Sequence, residues 1–188
     1  MNKPNTAYLI GVALGDGNLS NPNGRATRLR VFCDKKYPNI IERIKISMKT
    51  MLPDNSVNTS VRGNCVTVYC YSNKLETILG WNAMDGSKFA QKARVPPWIF
   101  ESDIFMRRCL KGLIETDGSV FKDRGYTHVN FTTTIPELAL DVENMIERLG
   151  YIHSIQRIDE GMPKKIKYVI RVCKRSKDFI DELDIDKS

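Results

Sequence analysis

Two aspartates, Asp16 and Asp117, close two stretches with nearly the same wording. One is Leu9-Ile10-Gly11-Val12-Ala13-Leu14-Gly15-Asp16-Gly17, and the other is Leu110-Lys111-Gly112-Leu113-Ile114-Glu115-Thr116-Asp117-Gly118. Each reads as an apolar helix with small residues four apart: Gly11 and Gly15 in the first, Gly112 and Thr116 in the second. An acid at a helix C-terminus faces the negative pole of the macrodipole, at a cost of a few tenths to about 1 kcal/mol. A chain that accepts this cost twice, in matched surroundings, is expected to hold a cation there. Residues four apart share a helix face, and an internal glycine costs roughly 1 kcal/mol against alanine. Close packing of the two helices through that face would justify the glycines. Asp16 and Asp117 would then emerge side by side, with Gly17 and Gly118 releasing the chain as C-terminal caps. Adjacent carboxylates repel and raise a pKa unless a hard divalent cation lies between them, and oxygen ligands suit magnesium or calcium. Metal-activated water beneath a basic surface is a means of hydrolysing a phosphodiester. Either Asp-Gly alone would be an ordinary helix-ending turn; the matched pair points to a site.

The elements that must position these acids are legible as a repeat. The second Asp-Gly follows the first by 101 positions in a chain of 188 residues. After each comes a polar turn (Asn18–Asn23, Ser119–Tyr126), then a strand-like run (Arg28–Cys33, His128–Thr132), then a helix opened by proline (Pro38, Pro136). The first of these helices carries Ile40, Ile41, Ile44, Met48 and Met51 on its apolar stripe; the second carries Leu138, Val142, Met145, Ile146 and Leu149. A hairpin follows in each half (Ser56–Val61 with Cys65–Tyr71, and Tyr151–Ile158 with Ile166–Val172), then a short helix near Lys74–Leu79 and Ser176–Leu183. The predicted fold is therefore α/β: an αββαββα order used twice. The seam falls near Asp85–Ser102 at Pro96-Pro97, dividing the chain into residues 1–95 and 96–188. Strands such as Lys165–Val172 alternate apolar with basic or polar residues, as in a sheet with one face on the core and one in water.

Composition narrows the partner. Lys and Arg outnumber Asp and Glu 29 to 22, a net charge of +7, which suits a polyanion, nucleic acid before an anionic membrane surface. No apolar run approaches the roughly 20 residues of a membrane span, and the polar start Met1-Asn2-Lys3-Pro4-Asn5 is no signal peptide. The five cysteines, Cys33, Cys65, Cys70, Cys109 and Cys173, have no zinc-site spacing and read as reduced residues of an intracellular protein.

The two stretches resemble the paired signature of the LAGLIDADG homing endonucleases, and the repeated element order extends the resemblance over nearly the whole chain. Two signatures in one polypeptide resemble the monomeric, pseudo-two-fold type. The resemblance implies signature helices at the interface and two antiparallel sheets forming a saddle over double-stranded DNA. It implies site-specific cleavage of both strands at a long asymmetric target, with Mg2+ as cofactor and 3′ overhangs as product. Ca2+ would support binding without cleavage. By motif position Asp16 and Asp117 would hold metal, joined by the carbonyls of Gly15 and Thr116. Lys35, Lys88 and Lys187 occupy positions similar to those of polar residues around the scissile phosphates. The position matching Lys35 in the second half falls at Thr133 or Thr134, and Thr134 also reads as a helix cap with Glu137. Outward strand positions expected on base edges are Arg28, Arg30, Arg62, Tyr69, His128, Asn130, Thr132, Arg157, Lys165, Lys167 and Arg171. Arg25, Lys122, Arg124, Lys164, Lys174 and Arg175 are expected on phosphates.

Two rival readings stand beside this one. The same fold could serve as an intron RNA maturase or a non-cleaving DNA-binding protein. Alternatively, the chain could be a basic globular protein in which the glycine helices only pack.

Overall fold

The computed structural model describes residues 2–187. The elements run α1 (Lys3–Asp16), β1 (Gly17–Ser20), β2 (Arg28–Asp34), α2 (Pro38–Met51), β3 (Val57–Arg62), β4 (Cys65–Tyr71) and α3 (Leu75–Leu79). After a 3-10 turn at Pro97–Glu101 come α4 (Asp103–Asp117), β5 (Gly118–Asp123), β6 (Tyr126–Thr133), α5 (Pro136–Arg148), β7 (His153–Ile158), β8 (Lys167–Val172) and α6 (Ser176–Leu183). The αββαββα order is thus present twice. The sheets are antiparallel and similarly ordered, β1-β2-β4-β3 and β5-β6-β8-β7.

The centre of the molecule is the α1–α4 pair. Thr6 to Leu14 are all buried, because α1 has α4 on one side and its own half on the other; a helix apolar all round is a core helix. Asn2 caps α1, its side chain accepting from the Asn5 amide at 3.3 Å. Within each sheet the core face is set by alternation. Leu29, Val31, Val68 and Cys70 are buried in one sheet, and Val129, Phe131, Ile170 and Val172 in the other. The intervening side chains form the outer face.

Gly17 and Gly118 are not left-handed caps. Their φ values of −79° and −82° are extended, and each begins a strand at once. Glycine is required by close approach instead: a Cβ on Gly118 would lie 2.7 Å from the Ile114 Cα. Nor does Thr134 cap α5. Ile135 takes the cap position without a side-chain bond, and its amide donates to the Thr133 hydroxyl at 3.2 Å. All five cysteines are free. Among the described residues no helix is long and apolar enough to cross a membrane.

Candidate active site and nucleic-acid interface

The α1 and α4 C-termini end together, and Asp16 and Asp117 emerge beside one another. A Cβ on Gly15 would sit 3.5 Å from the Asp117 Cγ, so the second acid lies against the end of the first helix. Two clefts flank the pair, and each draws on both halves. One, of about 370 Å³, joins Asp117 and Thr132–Thr134 to Gly15 and Lys88. The other, of about 230 Å³, joins Asp16, Cys33, Asp34 and Lys36 to Thr116 and Lys187.

A lysine ammonium lies at the end of each signature helix. Lys88 Nζ donates to the carbonyls of Ala13 at 3.1 Å, Leu14 at 2.6 Å and Gly15. Lys187 Nζ donates to those of Gly118 at 2.7 Å, Ile114 at 3.4 Å and Thr116. An ammonium at the negative pole of each helix offsets the cost of the acid there. This revises the expected role of the Gly15 and Thr116 carbonyls as metal ligands. Each already accepts from a lysine, leaving one lone pair for anything else.

Burial shifts all four groups toward their neutral forms. Asp117 is pushed up to about 6, first by desolvation and then by the charge of Asp16, with Lys88 and Lys187 opposing. Asp16 is raised by desolvation against the pull of Lys187 and Lys88. Lys88 is drawn down to about 8, desolvation outweighing the attraction of Asp117 and Asp16. Lys187 is lowered for the same reason. Both carboxylates remain open to solvent on their outer side. A divalent ion with oxygen preference fits two such acids. Among the described residues no cluster of three or more His, Cys, Asp or Glu exists to suit a softer metal.

Lys35 does not reach either cleft. It is exposed in the turn after β2, its amide donating to the Asn64 carbonyl at 2.8 Å, and the neighbouring Lys36 lines the cleft instead. Lys36 keeps the parity of Phe32 and Asp34, which line the same cleft, whereas Lys35 does not. Lys36 packs over Tyr37 at 4.8 Å and pairs with Asp34 at 3.6 Å.

On the outer face of the first sheet, Arg28 and Arg30 are held in place. Arg30 donates to the Asn18 side chain at 2.7 Å and lies over Phe32; Arg28 donates to Ser20 at 3.3 Å and lies over Tyr71. Tyr69 stands opposite Arg30, and Arg62 ends the edge strand. On the second sheet Arg171 Nε donates to the Asn130 side chain at 3.0 Å, His128 stacks on Phe121, and Thr132 enters the first cleft. Lys167 pairs with Glu160 at 2.9 Å and borders the same cleft. Arg25 and Arg124 are exposed in turns. Lys165 lies outside β8, with its ammonium 3.9 Å from the Phe89 ring centre.

Two expected DNA-facing residues fall on the opposite side. Arg157 pairs with Tyr168, which packs on the core, and Lys122 pairs with Thr127, two places from Val120 against the buried Val129. A one-place error in register moves every side chain to the other face. The segment 151–158 places its isoleucines at 152, 155 and 158, so its alternation could not reveal the face.

Sequence reading also missed Tyr8 and Arg43. Tyr8 Oη donates to Glu115 at 2.7 Å, and Arg43 pairs with the same carboxylate at 2.7 Å. The available signal was Glu115 itself, since a carboxylate on an apolar helix face needs cationic partners.

A LAGLIDADG-like domain model matches residues 105–183. A tRNA-splicing ligase RtcB from Pyrococcus abyssi (strain GE5 / Orsay) is 28% identical over 153 residues, 77% of this chain but 17% of that protein. The chain thus spans less than a fifth of that relative's length. Among solved structures, I-DmoI in complex with DNA and Mn superimposes with a TM-score of 0.66 at 18% identity, covering 99% of this chain and 97% of that one. Mesophilic variants of the homing endonuclease I-DmoI give 0.67 at 15%, covering 96% and 95%. Full-length DUF199/WhiA from Thermatoga maritima gives 0.65 at 12%, covering all of this chain and 57% of that one. With its paired signature helices and twice-used αββαββα order, the chain shares the fold of the I-DmoI structures, and its second half, over residues 105–183, matches the LAGLIDADG-like domain.

Proposed function

We propose that the chain is a divalent-metal-dependent endonuclease that cuts both strands of a long, asymmetric double-stranded DNA site and leaves 3′ overhangs. The observation that carries this reading is the matched pair of clefts. Each joins an acid from one signature helix to the end and the lysine of the other. One cleft would serve each strand, with the halves 1–95 and 96–188 each contributing a sheet to the DNA. Asp16 and Asp117 would hold the metal, Mg2+ in use, which supplies charge neutralisation at the phosphate and a more acidic water. Lys88 and Lys187 would release one carbonyl contact each and bind the non-bridging oxygens of the scissile phosphates. The Thr132 and Thr134 side chains would order water in the first cleft, and Lys36 and Asp34 would do so in the second. Arg28, Arg30 and Arg171 would read base edges, and the rim cations would neutralise phosphates. I-DmoI, of the same fold, forms complexes with DNA in the presence of Mn, Ca or Mg, which supports the metal class.

The test is strand-resolved cleavage of a randomised duplex library with Mg2+, for the native protein and for Asp16→Asn and Asp117→Asn. Cleavage by the native protein, abolished in both variants while duplex binding persists, is expected. Cleavage that neither substitution alters would overturn the assignment. A second reading has its own support: two acids and two ammoniums balance formally, so the clefts need no metal to be neutral. Duplex binding without cutting in Mg2+ or Mn2+ would favour a non-cleaving DNA-binding module.

A further inference from the structure

The two signature helices differ where they ought to match. Ile10 and Leu14 of α1 correspond to Lys111 and Glu115 of α4. Both of the latter are buried, with side chains 0% exposed. Replacing a buried ion pair by well-packed apolar residues is commonly neutral or stabilising, and α1 is built that way. Stability therefore does not account for the charges in α4, and their partners suggest what does.

Glu115 collects four donors. Tyr8 Oη lies at 2.7 Å, Arg43 Nη1 at 2.7 Å, Lys111 Nζ at 3.5 Å and the backbone amide of Asp186 at 3.1 Å. Lys111 in turn binds Asp184, its carboxylate at 2.7 Å and its backbone carbonyl as well. Arg43 reaches the Asp186 carboxylate at 3.7 Å. The segment after α6 is thus held at Asp184 by Lys111 and at Asp186 by Glu115 and Arg43. It enters through a left-handed turn at Asp184, φ 54°. The next residue is Lys187, whose ammonium caps α4 and faces Asp16. Lys88 is positioned by other means. Its loop is closed by Gln91 donating to the carbonyls of Asn82 at 2.9 Å and Gly86 at 3.0 Å, and by the Ala93 amide on the Lys88 carbonyl at 2.9 Å. No ionic group from a signature helix takes part in those bonds.

We propose that Glu115 and Lys111, with Arg43, are positioning residues that latch segment 184–186 so that Lys187 is delivered to the Asp16 cleft, and that the Lys88 cleft works without them. This rests on the endonuclease reading, and its consequence is unequal: loosening the latch disables one strand's cut and spares the other.

The test copies the first helix into the second with the double variant Lys111→Ile/Glu115→Leu. Thermal unfolding is expected to fall by several degrees, because the buried Tyr8 hydroxyl and Arg43 lose their acceptor. Cutting of one strand is expected to slow at least about tenfold, since displacement of about 1 Å can cost a hundredfold, so nicked product accumulates. The other strand's rate should stay within about twofold of native. Lys187→Met should slow the same strand, and adding it to the double variant should produce little further loss. Hydrogen exchange, without DNA or metal, should show the Asp186 amide protected in the native protein and unprotected in the variant. Should the double variant fail to fold, Glu115→Gln is judged by the same two readouts. Equal effects on both strands, or an Asp186 amide as protected as in the native protein, would overturn the latch. A native protein that cuts neither strand would remove the endonuclease reading, and the exchange measurement would still decide the latch.

Discussion

Gly11 and Gly112 lie back to back at the crossing of α1 and α4, each facing the other helix's main chain. A Cβ on Gly11 would meet the Cys109 carbonyl and lie 3.0 Å from the Leu113 nitrogen; one on Gly112 would meet the Tyr8 carbonyl and lie 2.7 Å from the Val12 nitrogen. Backbone atoms cannot rotate aside, so any side chain here must part the helices. Gly112→Ala gains about 1 kcal/mol of helix propensity yet is expected to destabilise by about 2 kcal/mol net, as overpacking does. Thermal unfolding should fall by roughly 4–8 °C. An unchanged or raised transition would mean that the crossing is looser than this.

On the proposed reading, Arg30 meets a base edge. Asn18 and Phe32 fix its guanidinium, and its Nε is buried with no partner. Arg30→Ala is expected to cost about 1–3 kcal/mol on the preferred duplex and to relax the preference at one base pair. Arg25→Ala, in an exposed turn, should weaken all duplexes alike and lower the salt slope by about 1. Anisotropy titrations against single-substitution targets at several salt concentrations separate the two.

The Asp184 carboxyl is held below the usual carboxylate range, chiefly by the hydrogen bond from Lys111. A depressed folded-state pKa gives stability that is present above the unfolded value of about 4 and lost as the pH falls through the folded one. The side chain is 81% exposed, so screening limits the effect to about 1 kcal/mol at most. Asp184→Asn should therefore melt below the native protein at pH 7 and low salt, by no more than about 2–4 °C. The gap should close toward pH 3. A gap that widens on acidification would contradict the pairing.

Thiol chemistry should follow burial. Cys173 is exposed. Desolvation pushes Cys70 up to about 12 and raises Cys109 further, and it takes Cys33 to about 12 with help from Asp16. Since the thiolate is the reactive form, a disulfide reagent at pH 8 should modify Cys173 first. Cys70 and Cys109 should react only on unfolding. Mass spectrometry of the labelled peptides identifies the site.

Local pattern sufficed for much of this molecule. The small residues four apart in Leu9–Gly17 and Leu110–Gly118 required a close helix pair. Pro38 and Pro136 marked helix starts within one residue, and the alternation of Leu29, Val31 and Ile170, Val172 named the core face. These features depend on residues a few positions apart, so a single sequence carries them. Where alternation failed, in His153–Ile158, the face of Arg157 was misread, and at the end of β2 the choice between Lys35 and Lys36 turned on one residue of a turn. Tertiary structure alone decided the rest. It alone joined Lys88 to the cleft of Asp117 and Lys187 to that of Asp16, and it alone brought Tyr8, Arg43, Lys111, Glu115 and Asp186 into one buried cluster. Such pairings link segments many tens of residues apart, and they exist only once two helices, each with its own period, have locked at one depth and rotation.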